Sequence, residues 1–237
     1  IASAVNPDAI VVDTSTVSSD TAKQAAALLE KAGAHFLDCP VSGGTEGAKN
    51  GVLAMMAGGD ETILERARGS LDAITKSIVH IGPTGSGQAC KAVNQIICAG
   101  LYETVAEALS FGRAAGLNLE KVVEVVSAGA AANWVLDNRS SFMLKNDYPP
   151  GFKVNLHLKD LNICQQMAAD MGIENMPVSM SKKWTKAQYG RERYLATEFV
   201  KSKSEQMTEG KLSEKFNLNK QYIDAVKGQL KNVKKLS

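Results

Sequence analysis

The stretch HFLDCPVSGGTEGAKNG, residues 35–51, decides how this chain is read. An apolar strand, His35–Val41, runs into Ser42-Gly43-Gly44, and a short helix, Thr45–Asn50, follows and is closed by Gly51. A Ser-Gly-Gly bend at the carboxyl end of a strand presents backbone N–H groups and one hydroxyl to whatever lies beside it. Glycines allow both the close approach and the unusual backbone angles such a bend needs. In open α/β sheets, ligands bind in the crevice outside the carboxyl ends of the strands. The same residues also suit a plain strand-to-helix connection, so the bend alone leaves both readings open.

Outward from this stretch, strands and helices alternate over residues 10–82. AIVVDTS, residues 9–15, is an apolar run, and Ser18-Ser19-Asp20 cap a helix extending to about Lys31, with Gly33 ending it. VLAMMA, residues 52–57, is a further strand. Gly58-Gly59-Asp60-Glu61 starts a helix to about Ile74, and Ser77–Ile81 is the last strand. Such alternation predicts a parallel or mixed sheet covered on both faces.

The pattern changes at Gly85. Ala92, Val93, Ile96, Ile97, Leu101, Val105, Ala108 and Leu109 recur at helical spacing through a proline-free stretch, 87–116. A continuous helix of that extent is about 45 Å long at about 1.5 Å per residue, more than one small domain needs. It predicts a link from the α/β part to an all-helical domain, with further helices near 118–128, 132–145, 155–172 and 177–190. Tyr148-Pro149-Pro150-Gly151 breaks two of these apart. The fold class is therefore α/β followed by all-α, with boundaries at 1–84, 85–190 and a basic, helix-compatible tail at 191–237.

Composition narrows the function classes. No apolar run approaches the roughly 20 residues that cross a bilayer, which argues against a membrane span. The opening IASAVNPDAIVVD lacks an initiator Met and a basic n-region, and reads as a segment entering a strand within a domain. Cys39, Cys90, Cys98 and Cys164 show no metal-ligand or redox spacing, which predicts buried thiols in a reducing compartment. Three scattered histidines argue against a His-based metal site. The net charge of +2 hides an asymmetry, because residues 181–237 hold 14 Lys/Arg and 6 Asp/Glu. With few aromatics interleaved, that tail reads as a solvated helical face rather than a nucleic-acid patch.

Two more segments carry candidate chemistry. Gly82-Pro-Thr-Gly85-Ser-Gly87 precedes Lys91 on the first turns of the long helix, where a helix N-terminus disfavours an ammonium and tends to lower its pKa. A lysine so placed can act as a general acid or base, and Asn94 and Gln95 share its helix face at i+3 and i+4. Gly151-Phe152…Asn155-Leu-His157-Leu-Lys159-Asp160-Leu161 starts a helix bearing a Lys-Asp pair, which taken alone reads as an exposed ion pair of little worth. His157 reads as a structural, hydrogen-bonded histidine. A dinucleotide loop G-x-G-x-x-G after a first strand does not occur in the sequence.

In this order the segments resemble the β-hydroxyacid dehydrogenase family, which includes 3-hydroxyisobutyrate dehydrogenase and tartronate semialdehyde reductase, with 6-phosphogluconate dehydrogenase more distant. DCPVSGG with Gly51-Val-Leu53 and Gly58-Gly59 matches the family's substrate signature, GSGQACKAVN its G-x-G-x-x-x-K-x-x-N signature, and Lys159-Asp160-Leu161 its K-D-L segment. The resemblance spans about residues 1–185. It implies an oxidoreductase that uses NAD or NADP on a small β-hydroxy acid or its semialdehyde, within a homo-oligomer (dimer or tetramer) of the cytoplasm or mitochondrial matrix. It implies that Ser42, Gly43 and Gly44 hold the substrate carboxylate and that Lys91 donates or accepts the proton. Asn94 and Gln95 would orient substrate and lysine, although several members carry Asn where Gln95 stands. Thr16 and Lys159 would meet the cofactor.

Residues 1–84 would then be the C-terminal part of a Rossmann-type sheet, joined by the long helix to the helical domain. Because G-x-G-x-x-G is missing, the chain is expected to lack the N-terminal dinucleotide-binding half, roughly 90 residues by the family's usual layout. Two other classes stay in view: a non-catalytic homologue serving as an oligomerisation or scaffold module, and nucleic-acid binding through the basic tail.

Overall fold

The computed structural model describes residues 2–149 and 151–173. The helix expected at 177–190 and the tail 191–237 lie outside the described residues. The alternation becomes β1 (Ile10–Asp13), α1 (Ser19–Lys31), β2 (His35–Asp38), β3 (Val41–Ser42), α2 (Gly44–Lys49), β4 (Leu53–Gly58), α3 (Glu61–Leu71) and β5 (Thr75–Gly82). Helices α4 (Ser86–Ala114), α5 (Leu119–Ser127), α6 (Trp134–Lys145) and α7 (Val154–Asp170) follow.

The five strands form one mixed sheet. β1 and β2 are parallel, as are β4 and β5, each pair joined through a helix. The strand expected as one piece over His35–Val41 is interrupted at Cys39-Pro40. Proline has no N–H to give to a ladder, so pairing lapses there. The register does not change across the gap: Asp38 pairs Gly58, Met56 N donates to Pro40 O at 3.0 Å, and Val41 pairs Met55. β2 and β3 therefore act as one antiparallel neighbour of β4, and this makes the sheet mixed.

Period-two alternation sends Leu37 and Cys39, and Met55 and Ala57, to the same buried face. They pack there against Ile63 and Leu64 of α3. Each fully buried leucine contributes roughly 1.5–3 kcal/mol, so this apolar layer anchors the sheet on which the polar loops stand.

Helix ends follow local chemistry. Ser18 caps α1, its Oγ accepting from Thr21 N at 3.1 Å. At the other end Gly33 N donates to Glu30 O and Ala34 N to Leu29 O, the paired bonds of a Schellman motif. We expect Ser18→Ala to cost about 1 kcal/mol, read as a lower urea midpoint with an unchanged slope.

By packing, the described residues form two compact units, one holding those up to Glu103 with 149–173, the other Thr104–Tyr148. The boundary at 84/85 drawn from the sequence follows the change of periodicity, whereas packing places the first part of α4 and all of α7 with the sheet. Polar contacts described below tie them there. In the other unit Asn118 and Asn133 cap α5 and α6. Leu109, Leu119, Val135 and Leu136 are buried. Among the described residues no helix is long and apolar enough to cross a membrane.

Candidate active site

The site is built where the strand ends, the first turns of α4 and the middle of α7 converge, all within the unit that contains the sheet. At the end of β3 the chain bends through Gly43 (φ 137°) and Gly44 (φ 63°). Both values lie in the region that favours glycine, which explains why the bend is Ser-Gly-Gly. Nothing lies within 4 Å of a Cβ built on Gly44, so this stretch of backbone is open to a ligand.

Lys91 is 7% exposed, and its Nζ donates to Val41 O at 2.8 Å. The structure thus brings the ammonium beside the residue that precedes Ser42. Burial holds the Lys91 pKa below its ordinary value, and the Asp160 carboxylate opposes that shift. The cause differs from the expected one: desolvation, rather than the helix N-terminus, dominates.

Gln95 and Asp160 are also buried, and Gln95 Nε2 donates to Asp160 Oδ2 at 2.5 Å. Asn94 Nδ2 donates to Gln95 Oε1 at 2.8 Å. Asn94 and Gln95 therefore work as a linked pair, and Gln95 faces α7. Lys159 Nζ stands 2.8 Å from Asp160 Oδ1 and donates to Thr16 O at 2.7 Å. The Lys159-Asp160 pair is not an exposed one, since the Asp160 side chain is 4% exposed against 48% for Lys159. Thr16 and Lys159, 143 residues apart in sequence, meet directly. All eight residues singled out from the sequence thus lie along two connected groups, Ser42-Gly43-Gly44 with Lys91, and Asn94-Gln95 with Asp160, Lys159 and Thr16. His157 is buried and its Nε2 donates to Gln95 O at 3.1 Å; burial lowers its pKa, which favours the neutral ring.

Two residues that sequence reasoning passed over hold the site together. Asp38, fully buried, accepts from Gly85 N at 2.7 Å and from Gln88 N at 2.9 Å, so its carboxylate caps α4 from a strand 47 residues away. Burial raises its pKa while these backbone N–H groups pull it down. Gln88 is 1% exposed and bonds the Ser15–Val17 loop. The available signals were an Asp inside an apolar strand and a Gln three residues before the lysine. Neither announces a partner so distant.

This arrangement can bind an anion at the bend, present a buried ammonium beside it, and offer a hydroxyl, a carbonyl and a second ammonium at Thr16 and Lys159. That donor set suits a nicotinamide and its carboxamide. Among the described residues no group of three or more His, Cys, Asp or Glu is placed to hold a metal ion.

Comparison with known proteins places both parts of the chain beside NAD-binding domains. The family model for the NAD binding domain of 6-phosphogluconate dehydrogenase matches residues 1–82. The model for the NAD-binding of NADP-dependent 3-hydroxyisobutyrate dehydrogenase matches residues 85–192. The first match corrects the expectation that the dinucleotide-binding half is missing, because residues 1–82 themselves fall within an NAD-binding domain. That expectation leaned on one glycine loop, and the match to residues 1–82 stands without that loop.

A 2-hydroxy-3-oxopropionate reductase of Escherichia coli is 40% identical over 167 residues, covering 70% of this chain and 57% of its own length. An uncharacterized oxidoreductase of Shewanella frigidimarina is 42% identical over 171 residues, with 72% and 58% covered. The chain thus spans a little under three fifths of these curated relatives. A solved structure of Mycobacterium tuberculosis 3-hydroxyisobutyrate dehydrogenase with L-serine superposes with a TM-score of 0.70 at 32% identity, covering 78% of this chain and 67% of that one.

Proposed function

The chain belongs to the 3-hydroxyisobutyrate dehydrogenase-like family of β-hydroxyacid dehydrogenases, and on that premise we propose that it interconverts a small β-hydroxy acid and its semialdehyde with NAD or NADP. The observation that carries the proposal is Lys91, a buried ammonium held 2.8 Å from the carbonyl of Val41, immediately before Ser42.

In this reading Ser42, Gly43 and Gly44 bind the substrate carboxylate through the hydroxyl and backbone N–H groups. A bound nicotinamide supplies the hydride or accepts it. Lys91 Nζ gives a proton to the carbonyl oxygen during reduction and takes it back from the hydroxyl during oxidation, neutralising the alkoxide charge as it develops. Gln95 and Asn94 orient the substrate and the lysine, and the Asp160 charge offsets part of the lowering that burial imposes on the Lys91 pKa. Thr16 would contact the nicotinamide half of the cofactor, and Lys159 would reach the cofactor from α7. Residues 1–84 serve as part of a Rossmann-type domain, and the helical part begins at residue 85.

The exposed apolar pair Val93 and Ile97, at i and i+4 on α4, supports a homo-oligomer. Four free cysteines and bacterial and plant mitochondrial relatives support the cytoplasm or mitochondrial matrix.

The experiment is an NAD(H)- and NADP(H)-linked assay of this chain on tartronate semialdehyde and 3-hydroxyisobutyrate, beside Ser42→Ala. Turnover is expected with one or both substrates. Ser42→Ala should raise KM about tenfold or more, as loss of a hydrogen bond to a charged group predicts, with a smaller change in kcat. Absence of turnover on both substrates with both cofactors would reject the proposal in favour of a non-catalytic homologue.

A further inference from the structure

Gln88 does more than fill space beneath the loop after β1. Its side-chain amide meets that loop at two points: Nε2 donates to Ser15 O at 2.9 Å, and Oε1 accepts from Val17 N at 3.1 Å. The two groups flank Thr16. A primary amide placed this way satisfies the donor and acceptor that a neighbouring strand would otherwise satisfy. Lys159 takes the carbonyl between them, Thr16 O, at 2.7 Å. Ser15 is exposed and Thr16 half-buried. Without these partners the segment would be an ordinary solvated turn.

Gln88 is itself held firmly. Its backbone N–H is bound by Asp38 Oδ2 at 2.9 Å, and its side chain is 1% exposed. Lys91 follows three residues later on the same helix, and its Nζ is fixed by Val41 O. One short stretch of α4 therefore grips the loop bearing Thr16 with one side chain and places the ammonium with the next residue on that face.

We propose that Gln88 is a positioning residue that holds the Ser15–Val17 segment in register with Lys91, so that the cofactor-facing loop and the proton donor move as one rigid element. The proposal rests on the dehydrogenase reading for its functional consequence, but its physical core, the clamp, does not. Pre-positioning of this kind lowers the ordering cost that a flexible loop pays on binding.

Three variants of the full 237-residue chain separate a clamp from a filler. Gln88→Met keeps length and removes both hydrogen bonds, Gln88→Glu keeps the acceptor for Val17 N and loses the donor to Ser15 O, and Gln88→Asn keeps both groups on a shorter arm. The first readout is amide hydrogen exchange without cofactor. In Gln88→Met the Val17 amide should exchange about fivefold faster or more, since one net hydrogen bond contributes about 1 kcal/mol. The Ala22 amide, bonded to Ser18 O within α1, should be unchanged. Gln88→Glu should keep Val17 protected to within about threefold.

The second readout is steady-state kinetics. Gln88→Met and Gln88→Glu should raise KM for the nicotinamide cofactor about tenfold and leave KM for the hydroxy acid within about twofold, and Gln88→Asn should restore part of the loss. Unchanged Val17 exchange in Gln88→Met, or equal acceleration at Val17 and Ala22, would overturn the clamp. Should Gln88→Met fail to fold, an unaltered cofactor KM in Gln88→Glu would overturn the positioning role. Absence of turnover in the unsubstituted chain counts against the dehydrogenase reading, while the exchange comparison still decides the clamp.

Discussion

Lys91→Met should reduce kcat by about 10³-fold, within the range that general acid–base groups contribute, while leaving the protein folded and as stable as before or more so. The two effects separate because the ammonium is useful to the proposed reaction and costly to the fold. It is 7% exposed and bonded to a neutral carbonyl, Val41 O, so burial penalises the charged form. Methionine fills a similar volume without that penalty. Lys91→Arg should not rescue activity, because a guanidinium does not release its proton in a protein. Turnover by Lys91→Met or Lys91→Arg at the level of the unsubstituted chain would remove Lys91 from the proton-transfer role.

The pH dependence follows from the same shift. Lys91 titrates below the ordinary lysine value of 10.5 because of desolvation. Reduction needs the protonated amine, so its rate should fall as pH rises through the lowered pKa, while oxidation should rise over the same interval. For stability the sign is fixed by the unfolded chain, which binds the proton more tightly. The penalty is complete below the folded-state pKa and is relieved as pH climbs from there toward 10.5. Lys91→Met should abolish that rise. A pH titration of unfolding free energy on both proteins checks it.

What could be read from the residues was local in sequence. Ser42-Gly43-Gly44, Lys91 and Lys159 carry their meaning in short spacings, and alternating apolar runs reveal strands and helices without knowledge of their neighbours. What could not be read was long-range. Asp38 looks like one polar residue in an apolar strand, and only the fold shows it accepting from Gly85 N, 47 residues later, at the start of α4. The Lys159-Asp160 pair reads as exposed because nothing local marks one of two adjacent charged residues as buried. Asp160 turns inward to Gln95 and Lys159 outward to Thr16. Pro40 marks a break in pairing, yet nothing local says that the register survives it. The cause of the Lys91 shift is likewise invisible locally, since burial is a property of the packed molecule.

Gly87→Ala should be the most destabilising single-methyl change in the site, costing about 3 kcal/mol or more. The reason is steric rather than conformational. Gly87 is not among the glycines with positive φ, so alanine could adopt its backbone angles. A Cβ there, however, would fall within contact of Asp38 O, 2.5 Å from Met56 O and 2.9 Å from Asp38 Oδ2. Two of these atoms are backbone oxygens of neighbouring strands, which cannot turn aside as a side chain would. To admit the methyl group, the first turn of α4 must lift from the sheet, which breaks the bonds from Gly85 N and Gln88 N to the buried Asp38 carboxylate. A buried carboxylate stripped of its donors adds its own penalty.

Gly44→Ala provides the contrast, because its Cβ would meet nothing within 4 Å and only the φ of 63° opposes it. That change should cost about 1–2 kcal/mol. Urea unfolding of the two variants should therefore rank them with Gly87→Ala clearly the worse. The opposite order would mean that α4 is not seated on β2 and β4 as described, and with it would go the geometric basis for placing Lys91 beside Ser42.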